Sequence, residues 1–414
     1  MLPLALQFLS TKSFQDLEDA HGICSRVNAS GDKVSLNYDQ ILSKPGDPVV
    51  AQCRGLIIRP RDTSFLKLPD WKMKIVGEVD VLARPMDRFY NRGDSNAAAV
   101  DWSDKNLRVY EKLDGTMIVL YWDGLHDRWH AGTRSVSEAD LPIQKENLQI
   151  GDMTFSQLFW QSLWQTLCQL GYGDIPAAAP TAYDAVREFL DELNKDNTYV
   201  FELTGPYNRV VVKYDTKRVY LLAVRNNVTG HEEPIENFSS GMFLHAQKWS
   251  LHEPIALVAF IETCDPAKFE GAVVVDSNFH RQKVKSAAWA FSSRAKDMVT
   301  TSPRAALECI ISSKLDDVIP LVEADLAEKL LHIQDIFVHY CHDVDVRFAQ
   351  YKEEAGSSRK RFAELVMLSD DWTAPYFNLW EGRASSMLEW TRKTLETGKL
   401  THSNLDVIIN KMNK

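Results

Sequence analysis

The chain has 414 residues, of which 45% are hydrophobic and 25% are charged, and its formal net charge at pH 7 is −10. These values are typical of a globular protein with two or three domains. No stretch approaches the roughly 18 apolar residues that a membrane span needs, so we expect no membrane partner. The negative charge means that a polyanion would have to bind a local basic patch.

The N-terminus and the cysteines both favour a cytoplasmic protein. Residues Met1 to Leu9 are apolar but lack the basic region and the small-residue cleavage site of a signal peptide, so we expect them to belong to the fold. The cysteines show no pair spacing, which favours reduced thiols and argues against a zinc motif. They are Cys24, Cys53, Cys168, Cys264, Cys309 and Cys341.

Four stretches before residue 92 carry local signals. Ser13 to His21 predicts a helix, and the alternation in Val34 to Tyr38 predicts a strand. Arg54 and the glycine after it precede an apolar run, so Arg54 is a candidate anion contact, although a surface arginine fits the same pattern. Residues Ala83 to Asn91 set Arg88 beside two aromatic residues, which suits phosphate binding and ring stacking but also occurs in packed loops.

The most informative stretch is a strand that runs into Lys112 and is followed by Asp114-Gly115 and a second apolar run, Met117 to Trp122. Asp-Gly between such runs is a strong hairpin signal, so we predict a hairpin with Lys112 at a strand end. A lysine held in this way can meet an electrophile reproducibly, provided that it loses its proton near neutral pH. Lys-x-Asp-Gly is short enough to occur by chance, and an exposed hairpin with a solvated lysine is the alternative.

Further strands and a helical block follow. Trp129 to Ser135 predicts a strand that carries Arg134, and helical spacing extends over about 154–194. Lys283 and Lys285 are two residues apart, so in a strand they share one face, where a like-charged pair calls for an anion or carboxylates opposite. The other predicted strand stretches are Thr198–Pro206, Val210–Tyr214, Val219–Val224 and Phe269–Val275.

After Trp289 the strand alternation ends and helical periodicity takes over. Ser302-Pro303 is a typical start of a helix. We therefore predict an α+β domain at residues 1–290, with a helical insertion at about 154–194, and an all-helical domain at 291–414. The predicted C-terminal helices are Ala305–Ile311, Leu326–Phe348, Arg361–Leu368, Tyr376–Leu395 and Leu405–Met412.

Two groups in the helical domain have candidate ligand chemistry. Its basic clusters, at 359–361 and 392–393, could contact phosphates or form solvated helix faces. A metal site is the weaker interpretation of a second group, because its spacing differs from that of helical zinc sites. That group consists of His332, His339, Cys341 and His342.

In chain order these elements resemble the covalent nucleotidyltransferases, the superfamily of ATP-dependent ligases and capping enzymes, and within it the RNA ligase 1 family. The likeness covers about residues 35–290. Its upstream segments are Cys53-Arg54-Gly55 and Arg84 to Asn91. Its motifs are Lys112-Leu113-Asp114-Gly115-Thr116, Phe201-Glu202 with Pro206, Asn208 and Arg209, then Glu270-Gly271 and Lys283-Val284-Lys285-Ser286.

The resemblance implies an ATP-dependent RNA ligase with an antiparallel nucleotidyltransferase domain. Lys112 would attack the α-phosphorus of ATP, and Glu270 would hold magnesium or manganese. Lys283 and Lys285 would neutralise the phosphates and, with the metal, favour the neutral amine of Lys112. Glu202 would contact the ribose. The further cofactor-binding positions are Tyr38, Arg54, Arg88, Tyr90, Gly115 and Arg134.

The resemblance also implies the substrate. The enzyme would join RNA 5′-phosphate and 3′-hydroxyl ends through lysyl-AMP and RNA-adenylate, in RNA repair, with cleaved tRNA as one candidate. We expect a monomer. The family pattern differs at Arg88 and Arg134, where lysine is expected, and at Trp289, where tyrosine is expected.

Two other functions are compatible with the same motifs. A DNA ligase or capping enzyme would carry an OB-fold after Lys285, where this chain continues with helices. A non-catalytic protein that binds RNA ends could retain the fold, but the intact lysines and glutamates of the motifs argue against it.

Overall fold

The computed structural model describes the chain except residues 1, 40, 141–142, 144–152, 173–180, 209–211, 213, 239–241, 266–267, 287–301, 314, 320–323, 370–371 and 413–414. Two compact units, Met1–Ser292 and Ser293–Lys414, divide the chain. The domain boundary predicted at residue 290, and Trp289 with it, lies outside the described residues.

The first unit begins with a four-stranded antiparallel sheet. Its strands, in spatial order, are β1 (Ile23–Val27), β2 (Val34–Tyr38), β3 (Arg54–Pro60) and β4 (Val79–Ala83). Its apolar face packs against helices α1 (Leu4–Leu9), α2 (Phe14–His21) and α3 (Pro48–Gln52). Short 3-10 helices lie at Ser64–Lys67 and Trp71–Met73.

The first unit also contains a six-stranded sheet. Its spatial order is β11-β10-β9-β7-β8, and β12 pairs in parallel with β10. The strands are β7 (Thr116–Asp123), β8 (Arg128–Thr133), β9 (Asn197–Thr204), β10 (Arg218–Asn226), β11 (Glu232–Glu233) and β12 (Leu244–His245). A 3-10 helix follows at Ile235–Phe238.

Two helices cover this second sheet, α4 (Phe155–Gln169) and α5 (Ala182–Asp191). Both lie in the predicted insertion. Helix α4 begins at a capping box, in which the Thr154 hydroxyl accepts from the Gln157 amide and the Gln157 side chain accepts from the Thr154 amide. The strand predicted at Val210–Tyr214 falls mostly outside the described residues.

The third sheet has the spatial order β13-β6-β14-β15-β5. Its strands are β5 (Tyr90–Asn91), β6 (Arg108–Glu111), β13 (Lys248–Trp249), β14 (Gly271–Val275) and β15 (Arg281–Lys285). Helix α6 (Pro254–Glu262) packs on it through Leu257 and Ile261. Neighbouring strands are antiparallel except β15 and β5, which are parallel.

The predicted hairpin around Lys112 is wrong. Strand β6 pairs with β13 and β14, whereas β7 pairs with β8 and β9, so the Asp114-Gly115 segment carries the chain from one sheet to another. Its Asp-Gly pair also lacks the positive φ of a type I′ turn. Lys112 is thus at a junction between two sheets and not at the tip of a two-stranded ribbon.

The second unit is helical throughout its described part. Its helices are α7 (Pro303–Ile311), α8 (Leu315–Val318), α9 (Ala324–Ala355), α10 (Arg359–Leu368), α11 (Thr373–Trp380), α12 (Met387–Glu396) and α13 (His402–Met412). The single helix predicted at Tyr376–Leu395 is two helices, because the chain turns at Gly382, whose φ is +69°. The α+β class with antiparallel sheets and a helical C-terminal region is confirmed.

Across the described helices, none has the length and apolar character that crossing a bilayer would require.

Candidate active site

Lys112 lies where three adjacent strands of the third sheet bring their ends together. It follows β6, and its amide donates to the carbonyl of Gly271 at the start of β14, at 2.8 Å. Glu270 lies just before β14, and its Oε2 accepts a hydrogen bond from the ammonium of Lys112 at 2.7 Å. Lys285, the last residue of β15, has its Nζ 3.5 Å from the other oxygen of Glu270. One carboxylate therefore faces two ammonium groups.

This cluster is largely shielded from water. The side chains of Glu270 and Lys285 are only 3% and 7% exposed, whereas that of Lys112 is 22% exposed. Charges are costly to bury unless they are paired, and each member here has a partner of opposite sign. The greater exposure of Lys112 leaves its amine the most accessible of the three groups.

Gly115 brings the second sheet against this cluster. A Cβ at Gly115 would lie 2.3 Å from the Leu203 carbonyl oxygen and 3.3 Å from Cγ of Glu202, so a larger residue does not fit. Burial raises the pKa of Glu202 to about 7; the nearby Lys112 ammonium opposes that shift and the Glu270 carboxylate adds to it. Glu202 thus lies within electrostatic reach of the Lys112–Glu270 pair.

The predicted phosphate contacts gather around two aromatic rings. The guanidinium of Arg88 is 4.1 Å from the centre of the Tyr38 ring and 5.0 Å from that of Tyr90, and the guanidinium of Arg134 is 5.5 Å from the Tyr38 ring. The Tyr90 hydroxyl accepts from the Gly46 amide at 3.2 Å. These cations come from separate loops and strands and converge on one surface.

Phe89 links the arginines to β15. The Arg54 guanidinium lies 5.5 Å from the centre of the Phe89 ring, and Nζ of Lys283 lies 5.3 Å from it. Burial lowers the pKa of Arg54, and its Nη1 is buried with no hydrogen-bond partner among the described residues. A buried donor without an acceptor is expensive, and an anionic oxygen would satisfy it.

All the predicted site residues are thus described, and they form two groups. The first consists of Lys112, Glu270, Lys285, Gly115 and Glu202. The second consists of Tyr38, Arg54, Arg88, Tyr90, Arg134 and Lys283, with Phe89 between Arg54 and Lys283. The roles assigned to them stay predictions.

Asp114 has a positioning role that the sequence analysis missed. Its carboxylate accepts from the Val212 amide at 2.7 Å, and its amide donates to the Tyr214 hydroxyl at 3.2 Å. These bonds tie the segment after Lys112 to the chain that follows β9. The Lys-x-Asp-Gly pattern contains this aspartate, but a turn signal alone does not indicate which distant backbone amide its carboxylate binds.

The donor set around Glu270 fits a magnesium or manganese ion. Both metals prefer carboxylate oxygens, and magnesium usually keeps several water or phosphate ligands. Glu270 offers two oxygens, each now facing an ammonium group. A cation there would compete with Lys112 for the carboxylate.

A different group, Asp123, His126 and His130, has ligand atoms within 4.8 Å of one another. It is a poor metal site, because Oδ2 of Asp123 already accepts hydrogen bonds from Lys33 at 2.9 Å and from Arg59 at 2.7 Å. A divalent ion at that oxygen would face both of these buried cations. Within the described chain, the His332, His339, Cys341 and His342 group does not bring three ligand atoms together.

The site thus combines a lysine at a junction of antiparallel sheets with a buried glutamate beside it and cations nearby. Residues 52–298 match the model of a family of RNA ligases. The chain belongs to this RNA ligase family.

Two relatives extend the match. A putative bifunctional polynucleotide kinase/RNA ligase of Autographa californica nuclear polyhedrosis virus is 28% identical over 290 residues, which are 66% of this chain and 35% of that protein. An RNA ligase of Rhodothermus phage RM378 is 24% identical over 379 residues, 76% of this chain and 78% of that one. The chain therefore spans about a third of the viral relative and about three quarters of the phage relative.

Two solved structures are also similar. An archaeal ATP-dependent RNA ligase shares 14% identity at a TM-score of 0.40, with 89% of each chain covered. A Naegleria gruberi RNA ligase with ATP and manganese shares 15% identity at a TM-score of 0.31, over 45% of this chain and 51% of that one.

Proposed function

We propose that the protein is an ATP-dependent RNA ligase that joins 5′-phosphate and 3′-hydroxyl RNA ends, with Lys112 as the nucleophile. The observation that supports this most directly is the pair of Lys112 and Glu270, 2.7 Å apart at the ends of adjacent strands. It combines an accessible amine with a buried carboxylate, in a chain of the RNA ligase family.

In the first step, Nζ of Lys112 attacks the α-phosphorus of ATP. A nitrogen–phosphorus bond forms, the bond to the β-phosphate oxygen breaks, and pyrophosphate leaves with that bonding pair. Lys112 must give up a proton beforehand, and Glu270 is the nearest acceptor at 2.7 Å. The partly exposed position of Lys112 gives that proton a path to water.

Negative charge builds up on the phosphates during this step, and several residues can stabilise it. Lys285 and Lys283 lie on one face of β15, and the buried Nη1 of Arg54 lacks a partner in the described structure. Preorganised cations of this kind lower the barrier because they need no rearrangement as the charge develops. Tyr38, Arg88 and Arg134 extend the same surface.

Glu270 would hold a magnesium or manganese ion, and the bound ion would neutralise charge on the phosphates. We further propose that Glu202 contacts the ribose, as the family resemblance implies. Two transfers would follow: the RNA 5′-phosphate displaces Lys112 from AMP, and the 3′-hydroxyl then displaces AMP from the RNA-adenylate.

We assign the activity to RNA repair in the cytoplasm, by a monomer, with cleaved tRNA as a candidate substrate. The family supports RNA as the polymer. DNA ligation or capping is the weaker alternative, because every described element after residue 302 is helical and offers no OB-fold.

Covalent labelling with radioactive ATP tests this function. The full-length protein should acquire a covalent AMP label that persists in a denaturing gel and is released by acid, as expected for a nitrogen–phosphorus bond. Lys112→Ala should abolish this label, because the variant lacks the amine that we propose as the nucleophile. Joining of pre-adenylated RNA to a 3′-hydroxyl should survive in part in that variant, since this step needs no lysine nucleophile.

Lys105→Ala is the matched control, because Lys105 is an exposed lysine of the same unit and should label normally. An adduct on the Lys112→Ala protein would remove Lys112 as the nucleophile. Absence of any label on the wild type, with ATP and either metal present, would refute the activity itself.

A further inference from the structure

A cavity of about 440 Å³ opens beside the arginine group, at the end of β15 remote from Lys112. It is enclosed by the segment around β5, the turn between β10 and β11, and the loop from Val275 to Arg281. None of the residues described so far as catalytic lines it, although Arg88, Phe89 and Tyr90 border both regions.

Three guanidinium groups and two carboxylates line the cavity. Arg225 binds Asp87 at 2.6 Å, and Arg281 binds Glu232 at 2.6 Å, so two of the arginines are fixed in position. The third, Arg88, stacks between two tyrosine rings. Fixed guanidinium groups are well suited to phosphate, because little side-chain entropy is lost when the phosphate binds.

An aromatic ring is held at the mouth of the cavity in an unusual backbone conformation. Phe279 has a φ of +61°, which is rare for a bulky residue and costs roughly 1–3 kcal/mol. The guanidinium of Arg108 lies 4.8 Å from its ring centre, and the His231 ring lies 6.3 Å away, edge to face. The guanidinium of Arg281 lies 5.9 Å from the same ring centre, and Phe279 is only partly buried on the wall of the cavity.

The cavity and the proposed active site lie along the same strand, β15. Arg281, Lys283 and Lys285 alternate along β15 and therefore share one face of the sheet, which spans roughly 13 Å from the first to the last. Phe89 lines the cavity, and Lys283 lies over its ring. A line of cations thus leads from the Lys112–Glu270 pair to the cavity.

We propose that this cavity is a subsite for a single-stranded ribonucleotide at the RNA end being joined, with its phosphate on the guanidinium groups and its base against Phe279. The inference rests on the proposed RNA ligase function. Single-stranded RNA is recognised by this combination of aromatic faces, arginine planes and a positive groove. The subsite lies next to, and does not include, the residues that would transfer AMP.

Two variants test the subsite while keeping both residues of each of its ion pairs. Phe279→Ala removes the stacking face, and His231→Glu places a carboxylate at an exposed position on the cavity wall. Phe279→Tyr and His231→Gln are their conservative partners. His252→Glu makes the same charge change at an exposed histidine that does not line the cavity.

Two quantities are measured for each full-length variant. The first is the ATP dependence of lysyl-AMP formation. The second is the affinity for a 5′-phosphorylated oligoribonucleotide by fluorescence anisotropy at several salt concentrations, together with KM and kcat for joining pre-adenylated RNA.

We expect Phe279→Ala and His231→Glu to form lysyl-AMP within about two-fold of wild type, while the Kd for the oligoribonucleotide and the KM of joining rise roughly ten-fold, the scale of one lost base stack. Phe279→Tyr, His231→Gln and His252→Glu should bind RNA like the wild type.

Unchanged RNA affinity in both test variants would overturn the subsite. A rise in the KM for ATP without a change in RNA affinity would also overturn it, and would assign the cavity to the triphosphate. RNA binding is measured independently of adenylation, so a wild-type protein that forms no lysyl-AMP would refute the proposed function and leave the subsite to be decided by the binding data.

Discussion

The charged cluster around Glu270 in the first unit and the ion pairs at the helix surfaces of the second unit differ in burial. In the first unit, Glu270 is buried and faces both Lys112 and Lys285. In the second, Arg359 pairs with Glu381 and Lys393 with Glu389, on side chains that are between 27% and 66% exposed. Exposed pairs contribute little to stability, whereas a buried cluster of uneven charge is costly and persists where it serves another purpose. This contrast supports the proposal that Lys112 and Glu270 carry out the chemistry.

The largest effect is expected at Glu270. Replacing Glu270 by alanine removes the carboxylate between the two lysines and the proposed metal ligand. Loss of one group placed at a transferring phosphate typically costs about 10²–10³ in rate, so lysyl-AMP formation by Glu270→Ala should fall by at least that factor. The rate is measured with radioactive ATP across a manganese titration, after circular dichroism shows a folded protein.

Glu188→Ala is the control, because Glu188 is an exposed glutamate on α5 of the same unit. Near-wild-type labelling by a folded Glu270→Ala protein would remove Glu270 from the site, whatever the metal concentration.

An intermediate effect is expected at Glu202, whose pKa is raised from 4.5 to about 7. The folded protein holds this proton more tightly than the unfolded chain, so the resulting stabilisation is complete below about pH 4.5 and is lost as the pH rises through 7. Glu202→Gln keeps a neutral side chain at every pH. Relative to this variant, the wild type should lose about 1–3 kcal/mol of unfolding free energy between pH 5 and pH 8.

Urea denaturation at intervals between pH 5 and pH 8 measures this difference, with Glu188→Gln as an exposed control that should follow the wild type. If the unfolding free energies of the wild type and Glu202→Gln change with pH in parallel, the folded protein does not bind the Glu202 proton more tightly than the unfolded chain. A difference of opposite sign, with the wild type gaining stability as the pH rises, would mean that the nearby Lys112 ammonium outweighs burial.

Local elements of the fold were predictable from the sequence because short-range physics determines them. Strand β2 spans the predicted Val34–Tyr38, and α2 starts where Ser13 completes a capping box. The helical insertion follows apolar spacing at a period of 3.6 residues, and its helices α4 and α5 lie inside the predicted range. In each case the sequence pattern that predicts the element is contained in one or two helical turns or in a few alternating residues.

Long-range pairing was not predictable in the same way. The Asp114-Gly115 signal indicates that the chain turns, but it does not reveal that β6 and β7 belong to different sheets. Gly55 shows the same limit: its φ is +83°, and a Cβ there would lie 3.2 Å from Cα of Arg134, far along the chain. The family resemblance predicts which distant residues belong to one site. Composition and periodicity alone do not predict this.

The cavity beside β15 is predicted neither by the family resemblance nor by composition and periodicity. Phe279 and Arg281 follow a strand without any motif, and Arg225 is separated from them by more than fifty residues. Their convergence depends on the β10–β11 turn meeting the loop before β15, a contact between two sheets. A positive φ at a phenylalanine is invisible in the sequence, because only the folded backbone imposes it.

The smallest effect is expected in the second unit, at the cluster Arg359-Lys360-Arg361. These three cations occupy the first turn of α10, where the helix dipole disfavours positive charge by a few tenths of a kcal/mol each. Exposed pairs of Arg359 with Glu381 and of Arg361 with Glu354 offset part of that cost. Replacing all three by alanine should therefore leave the unfolding free energy unchanged or raise it by up to about 1 kcal/mol.

Because the cluster is solvated and partly paired, affinity for the oligoribonucleotide should fall by less than about three-fold, with a salt slope changed by less than one. Chemical denaturation and anisotropy measure the two quantities. A ten-fold loss of RNA affinity with unchanged stability would instead make this helix terminus part of the RNA-binding surface, and would extend the functional charges into the second unit.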